Sequence, residues 1–187
     1  MLETQWKAII SGDRKGFGPS MTRLGLWFLS LFYLLGLSLK KAAFALGIRK
    51  PVSFNARIVS VGNITVGGTG KTPVTEELAK RAVKEGRNVL IVSRGYKRKK
   101  NAAIEVVSDG NEMFLTSRVA GDEPFILARR IKGAKVLVTD NKAKGITYGV
   151  NRFKPEIVFL DDGFQRRDEI AGAMHVVLLD ALNPWVS

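Results

Sequence analysis

At 187 residues, 45% hydrophobic and 25% charged, the chain is long enough to bury one full core and too apolar for intrinsic disorder. It contains no cysteine, which excludes a disulfide framework, a thiolate nucleophile and a thiolate metal site. The formal net charge of +13 calls for an acidic partner. No helix-turn-helix, zinc finger or aromatic single-strand platform is visible, so anionic lipid or a phosphorylated substrate is expected and nucleic acid is not.

The first twenty residues suggest a short amphipathic helix around Trp6, Ile9 and Ile10, then a turn through Gly12, Gly16, Gly18 and Pro19. Leu24–Leu39 follows, sixteen residues without a charge, bounded by Arg23 and by Lys40 and Lys41. Its length lies between that of a core helix and that of a full membrane span. Glu3 and Asp13 ahead of the run, and lysines where a cleavage region would be small and neutral, count against a secretory signal. Trp27, Phe28, Phe32 and Tyr33 among leucines, between basic flanks, favour a membrane-associated helix over a core helix, lying in the interface or spanning shallowly. Residues 1–57 hold nine Lys and Arg against two acids, a charge suited to anionic headgroups. Residues 1–50 are therefore expected to form a membrane-associated segment and 51–187 a separate core.

From Arg57 onward short β-rich runs alternate with helical ones. This predicts an α/β fold, a mostly parallel sheet with helices on both faces. Strands are expected at 57–62, 88–93, 104–107, 135–139, 156–161 and 175–180. Helices are expected at 71–85, 122–132 and 141–149, with Gly86 as the C-terminal cap of the first.

Between the first strand and first helix lies Val-Gly-Asn-Ile-Thr-Val-Gly-Gly-Thr-Gly-Lys-Thr-Pro, residues 61–73. Gly67, Gly68 and Gly70, with Thr69 among them, allow successive backbone N–H groups to face one point, and the helix beginning at Thr72 directs its positive end there. Lys71 can reach a terminal phosphate and the Thr72 hydroxyl can ligate Mg²⁺, the division of labour in a Walker A loop. The general rule places glycine at position 65, where this chain has Thr65.

Ligands of open α/β sheets bind beyond the carboxyl ends of the strands. Three further groups follow predicted strands or open a predicted helix there. Ile157–Leu160 leads into Asp161 and Asp162, a Walker B pattern for Mg²⁺ when it stands behind such a loop, and ordinary turn chemistry when it does not. Gly121-Asp122-Glu123-Pro124 reads equally as a helix cap or as acids near a γ-phosphate. Ser93-Arg94-Gly95-Tyr96 precedes the basic run Lys97–Lys100. The run is as consistent with a solvated loop as with anion contact, whereas Arg94 is the better candidate for a phosphate. His175, the only histidine, opens an apolar run and reads as structural.

Taken in order, the residue 61–73 loop, Ser-Arg-Gly-Tyr, Gly-Asp-Glu-Pro and Asp-Asp-Gly-Phe-Gln resemble the tetraacyldisaccharide 4′-kinase family, the lipid A 4′-kinases of Gram-negative bacteria. Threonine at the position of Thr65 is part of that family's loop, and the resemblance runs from the apolar helix to Asp180. It implies a P-loop kinase core that uses ATP and Mg²⁺ to phosphorylate the 4′-hydroxyl of a lipid A disaccharide precursor at the cytoplasmic face of the inner membrane. It also implies roles for named residues: Lys71 and Thr72 at phosphate and metal, Asp122 as the base toward the sugar hydroxyl, Glu123, Asp161 and Asp162 at the metal.

Two features depart from the family. Arg166 stands where histidine commonly follows Asp-Asp-Gly-Phe-Gln. Family members also continue into a smaller second domain that supplies a histidine paired with the catalytic aspartate, and that domain is expected to lie outside this chain. The alternatives are a membrane-recruited P-loop ATPase switch, whose loop carries a second lysine where this chain has Val66, and a non-catalytic fragment that binds nucleotide or lipid.

Overall fold

The computed structural model describes residues 16–48, 50–63, 70–95, 98–99, 102–161, 163 and 169–179. The chain divides between Lys50 and Pro51 into two compact units. Among its described residues the first contains one long helix, α1 (Phe17–Ala45), which extends the predicted apolar run at both ends. Its start follows Gly16, with Pro19 in the first turn, where a missing N–H is harmless. Trp27, Phe28, Leu29, Leu31, Phe32, Tyr33, Leu34 and Leu35 are all exposed. Eight such residues within nine positions leave no polar stripe, so the helix is apolar all round.

The second unit is built on β1 (Arg57–Asn63), β2 (Val89–Ser93), β3 (Ile104–Ser108), β4 (Lys135–Thr139), β5 (Ile157–Asp161) and β6 (Met174–Leu178). They form one sheet in the order β3-β4-β2-β5-β1-β6, parallel throughout except for the antiparallel edge pair β3–β4. Between the strands run α2 (Lys71–Lys84), α3 (Ser117–Ala120), α4 (Asp122–Arg130) and α5 (Lys142–Phe153).

Side chains alternate across the pleat, so each central strand feeds two cores. Val89, Ile91, Val136, Val138 and Phe159 meet Ala79 and Ala82 of α2 and Leu127 and Ala128 of α4 on one face. On the other, Leu90, Val92, Leu137, Val158 and Leu160 meet Ile146 of α5. Such two-sided burial explains why β2 reads as an unbroken apolar run.

Gly86 caps α2 as the sequence predicts. Its φ of 77° lets its N–H donate to the Val83 carbonyl and the Arg87 N–H to that of Ala82, the Schellman pattern. Farther along α2, Glu76 accepts from Lys80 at 2.5 Å and from Arg130 of α4 at 3.2 Å, tying the two helices together. The Lys80 ammonium, opposed by burial and aided by Arg130, holds the Glu76 carboxyl below its ordinary range.

Two helices differ from expectation. α5 runs four residues beyond the predicted end at 149, because Gly149 lies on the packing face: a Cβ there would sit 2.3 Å from Leu90 Cδ2. It stops instead at Lys154, in the left-handed region, immediately before Pro155. α4 ends at Arg130, two residues early, and is preceded by α3, a single turn too short to leave a periodic signature.

Candidate functional site

Five parallel strands, β1, β2, β4, β5 and β6, deliver their carboxyl ends to one edge of the sheet, where Gly70, Lys71, Thr72, Arg94 and Asp161 stand at or just beyond strand ends or at the helix start that follows β1. Val61 of β1 is the register partner of Asp161 of β5, so the loop leaving β1 and the acid ending β5 emerge side by side.

Gly67, Gly68 and Thr69 lie outside the described residues, but both ends of their loop are described. At the near end is Asn63, the last residue of β1. At the far end is Gly70, whose φ of 78° turns the chain into α2. Lys71 and Thr72 are therefore the first two helical residues, both half-buried. The Lys71 Nζ donates to Asn63 Oδ1 at 3.0 Å, a bond that ties the two ends of the loop together. α2 has no side-chain cap and no acid in its first turn, so its positive end is not offset by its own residues.

At the end of β5, Asp161 is buried, and its Oδ2 accepts from Ser93 Oγ of β2 at 3.3 Å. The Lys142 ammonium, buried at the start of α5, donates to the Asp161 carbonyl oxygen. Asp162 and Arg166 lie outside the described residues. Gly163 is described: its N–H donates to the Val61 carbonyl at 3.2 Å, and a Cβ there would meet Ser60 Oγ at 2.2 Å. Gly163 thus lies packed against the end of β1.

After β2, Arg94 is exposed and Gly95 is buried with a φ of 66°. A Cβ on Gly95 would stand 2.5 Å from both the Ala120 carbonyl oxygen and Arg98 Cδ. This close approach seats the Ser93-Arg94-Gly95 turn against the α3–α4 junction, two residues from Asp122. Gly95→Ala combines that clash with a left-handed alanine, which alone costs about 1–2 kcal/mol. Denaturant unfolding is expected to show a larger loss than this, whereas a change within about 0.5 kcal/mol, the range of ordinary surface substitutions, would contradict the close approach.

The cap of α4 is Gly121, not Asp122, and it makes no side-chain cap bond. Asp122 and Glu123 occupy the first two helical positions, both exposed. Capping therefore does not account for Asp122, although acids in a first turn do suit the helix dipole.

The basic run is only partly solvated. Arg98 is buried and ion-paired with Glu105 of β3, Lys99 is exposed, and Lys97 and Lys100 lie outside the described residues. His175 is exposed on the edge strand β6, opposite Ser60, and not in a core. A hollow of about 90 Å³ lined by Arg57, Arg87, Glu156 and Ile157 lies at the opposite, amino edge of the sheet. The Arg87–Glu156 ion pair occupies it at 2.9 Å.

Sequence reasoning missed Asn63, Ser93 and Lys142 as working parts of this edge. Asn63 and Ser93 stand inside the quoted motifs. Lys142 has only one signal, a lysine at the helical spacing of Gly145, Ile146 and Gly149 on the buried face of α5.

Comparison with known proteins agrees with this geometry. The profile of the family Tetraacyldisaccharide-1-P 4'-kinase (LpxK) matches residues 22–187. The Tetraacyldisaccharide 4'-kinase of Desulfotalea psychrophila is 37% identical over 155 residues, covering 83% of this chain and 44% of the relative. That of Pelobacter propionicus is 34% identical over 185 residues, covering 98% of this chain and 51% of the relative. A crystal structure of LpxK from Aquifex aeolicus, an "apo" form in complex with ATP, superposes with a TM-score of 0.67 at 30% identity, over 83% of this chain and 48% of that one. The chain spans about half the length of these relatives. With matching motifs, matching topology and a family profile over most of its length, the chain belongs to the Tetraacyldisaccharide-1-P 4'-kinase family.

Proposed function

We propose that the chain carries the nucleotide half of a reaction that moves the γ-phosphoryl group of ATP to the 4′-hydroxyl of a tetraacylated, 1-phosphorylated glucosamine disaccharide. The observation that carries this is that Lys71 bonds to Asn63 at the end of β1 while Asp161, bonded to Ser93, ends the adjacent strand β5, in a member of this kinase family. The Aquifex aeolicus relative was solved in complex with ATP, which makes ATP the nucleotide proposed here.

Lys71 neutralises charge on the terminal phosphates, and the first-turn amides of α2 offer donors to the same anion. Asp122, exposed and free of capping duty, accepts the proton of the 4′-hydroxyl as its oxygen bonds to the γ-phosphorus and the bond to the β–γ bridging oxygen breaks. Arg94, exposed after β2, contacts a phosphate of the acceptor in this reading.

The donor set suits Mg²⁺. Asp161 and Thr72 offer hard oxygen atoms, with Asp162 and Glu123 as further donors, and no cluster of three or more His, Cys, Asp or Glu exists among the described residues. Mg²⁺ needs no such cage, since it is ordinarily held by one or two carboxylates together with phosphates and water. When bound, it would supply positive charge against the β- and γ-phosphates.

The acylated acceptor accounts for α1. Its 28-residue apolar stretch Phe17–Phe44 is long enough to cross a bilayer and is unburied. Apolar side chains on every face suit a span better than a flat interfacial helix, and the basic excess of residues 1–57 suits the cytoplasmic face of the inner membrane. Deleting residues 1–40 is expected to release the protein from vesicles containing anionic lipid in a flotation assay; equal flotation of the intact and shortened chains would contradict this role.

Incubation with γ-labelled ATP and the disaccharide acceptor tests the proposal. Labelled lipid is expected. Free labelled phosphate alone would instead indicate an ATPase switch, and neither product a non-catalytic fragment.

A further inference from the structure

Lys142 is a buried charge that the reaction described above does not use. It is 8% exposed and lies on the sheet-facing side of α5 with Gly145, Ile146 and Gly149. The two glycines bring the helix unusually close to the sheet: a Cβ at Gly145 would fall 2.5 Å from Thr139 Cγ2, and one at Gly149 would fall 2.3 Å from Leu90 Cδ2. That proximity sends the lysine stem past the end of β2, the strand between β4 and β5, to the last carbonyl of β5. Burying an ammonium carries a large desolvation penalty, so a residue with only a packing role here would be apolar.

Asp161 is thus held at two points: Lys142 fixes its backbone carbonyl, and Ser93 Oγ fixes its carboxylate. We propose that Lys142 is the positioning residue of the acidic edge, a tether from α5 that orients Asp161 at the end of β5 for a nucleotide-bound divalent cation. The inference rests on the nucleotide reading of this site.

The tether differs in sign from a simple counter-charge. Removing a counter-charge beside a carboxylate would tighten cation binding, whereas removing a tether disorders the donor and weakens it. Partners that orient metal ligands typically change metal affinity about 10–100-fold when lost.

The test uses the whole chain in detergent micelles and a fluorescent ATP analogue titrated with MgCl₂. In Lys142→Met, the Mg²⁺ concentration for half-maximal stimulation of nucleotide binding is expected to rise about 10–100-fold. Nucleotide affinity in EDTA should stay at the parent value. Lys142→Gln, which keeps a donor without the charge, carries the same expectation if methionine lowers the yield of folded protein; thermal melting reports folding in each case. An unchanged or lowered Mg²⁺ requirement in a folded variant overturns the tether and leaves the nucleotide site standing. A parent chain whose ATP binding ignores Mg²⁺ overturns the tether alone, and one that binds no nucleotide with or without Mg²⁺ overturns the nucleotide reading, and the tether with it.

Discussion

Lys71→Ala is expected to lower phosphoryl transfer by about 10²–10³-fold, the usual consequence of removing one preorganised group that faces developing charge. Lys71 is half-buried at the first position of α2 and bonds only across its own loop to Asn63 among the contacts resolved for it. Alanine is a good helix former, and truncation leaves the Asn63 amide near an opened cleft, so the fold is expected to survive. ATP affinity should weaken as well, because a phosphate cradle without its cation loses charge neutralisation in the ground state too. Unchanged affinity together with unchanged turnover would remove Lys71 from the site.

Asp122→Asn separates chemistry from binding. The substitution is isosteric and exposed, and it disturbs no side-chain cap because Gly121 caps α4. The loss of one favourable charge in the first turn costs about 0.3–1 kcal/mol of stability. Loss of a general base typically costs about 10²–10⁴-fold in rate. The expected result is therefore near-parental ATP affinity with transfer reduced by that factor. Parental transfer would show that the acid serves the helix dipole alone.

The asymmetry between what the sequence disclosed and what it withheld follows from the range of the interactions. Each of the six strands begins and ends within two residues of expectation, because β-branched runs and the glycine and proline breaks between them are local signals. The positions of Gly70, Lys71, Thr72, Asp122, Glu123 and Asp161 at element ends were legible for a related reason: their neighbours define those elements. The residues that hold them were not legible. Ser93 meets Asp161 across 68 positions and Lys142 meets it across 19, through a strand order that no local pattern encodes. Arg98 misled for the same reason. Its neighbours make a basic run, but Glu105 and the turn at Gly95 place this one side chain inside. His175 stands beside an apolar run, but β6 is an edge strand with exposed side chains, and only the sheet order reveals the edge.

Nucleotide is expected at the carboxyl edge of the sheet, between the loop after β1 and the end of β5. Hydrogen exchange with and without Mg·ATP tests it most directly, because it reads position along the chain independently of turnover. Slowed exchange is predicted for peptides spanning Gly70–Val74, Ser93–Gly95 and Leu160–Gly163, with none at the amino-edge hollow of Arg87 and Glu156. Protection confined to that amino edge, or no protection at saturating nucleotide, would contradict the account.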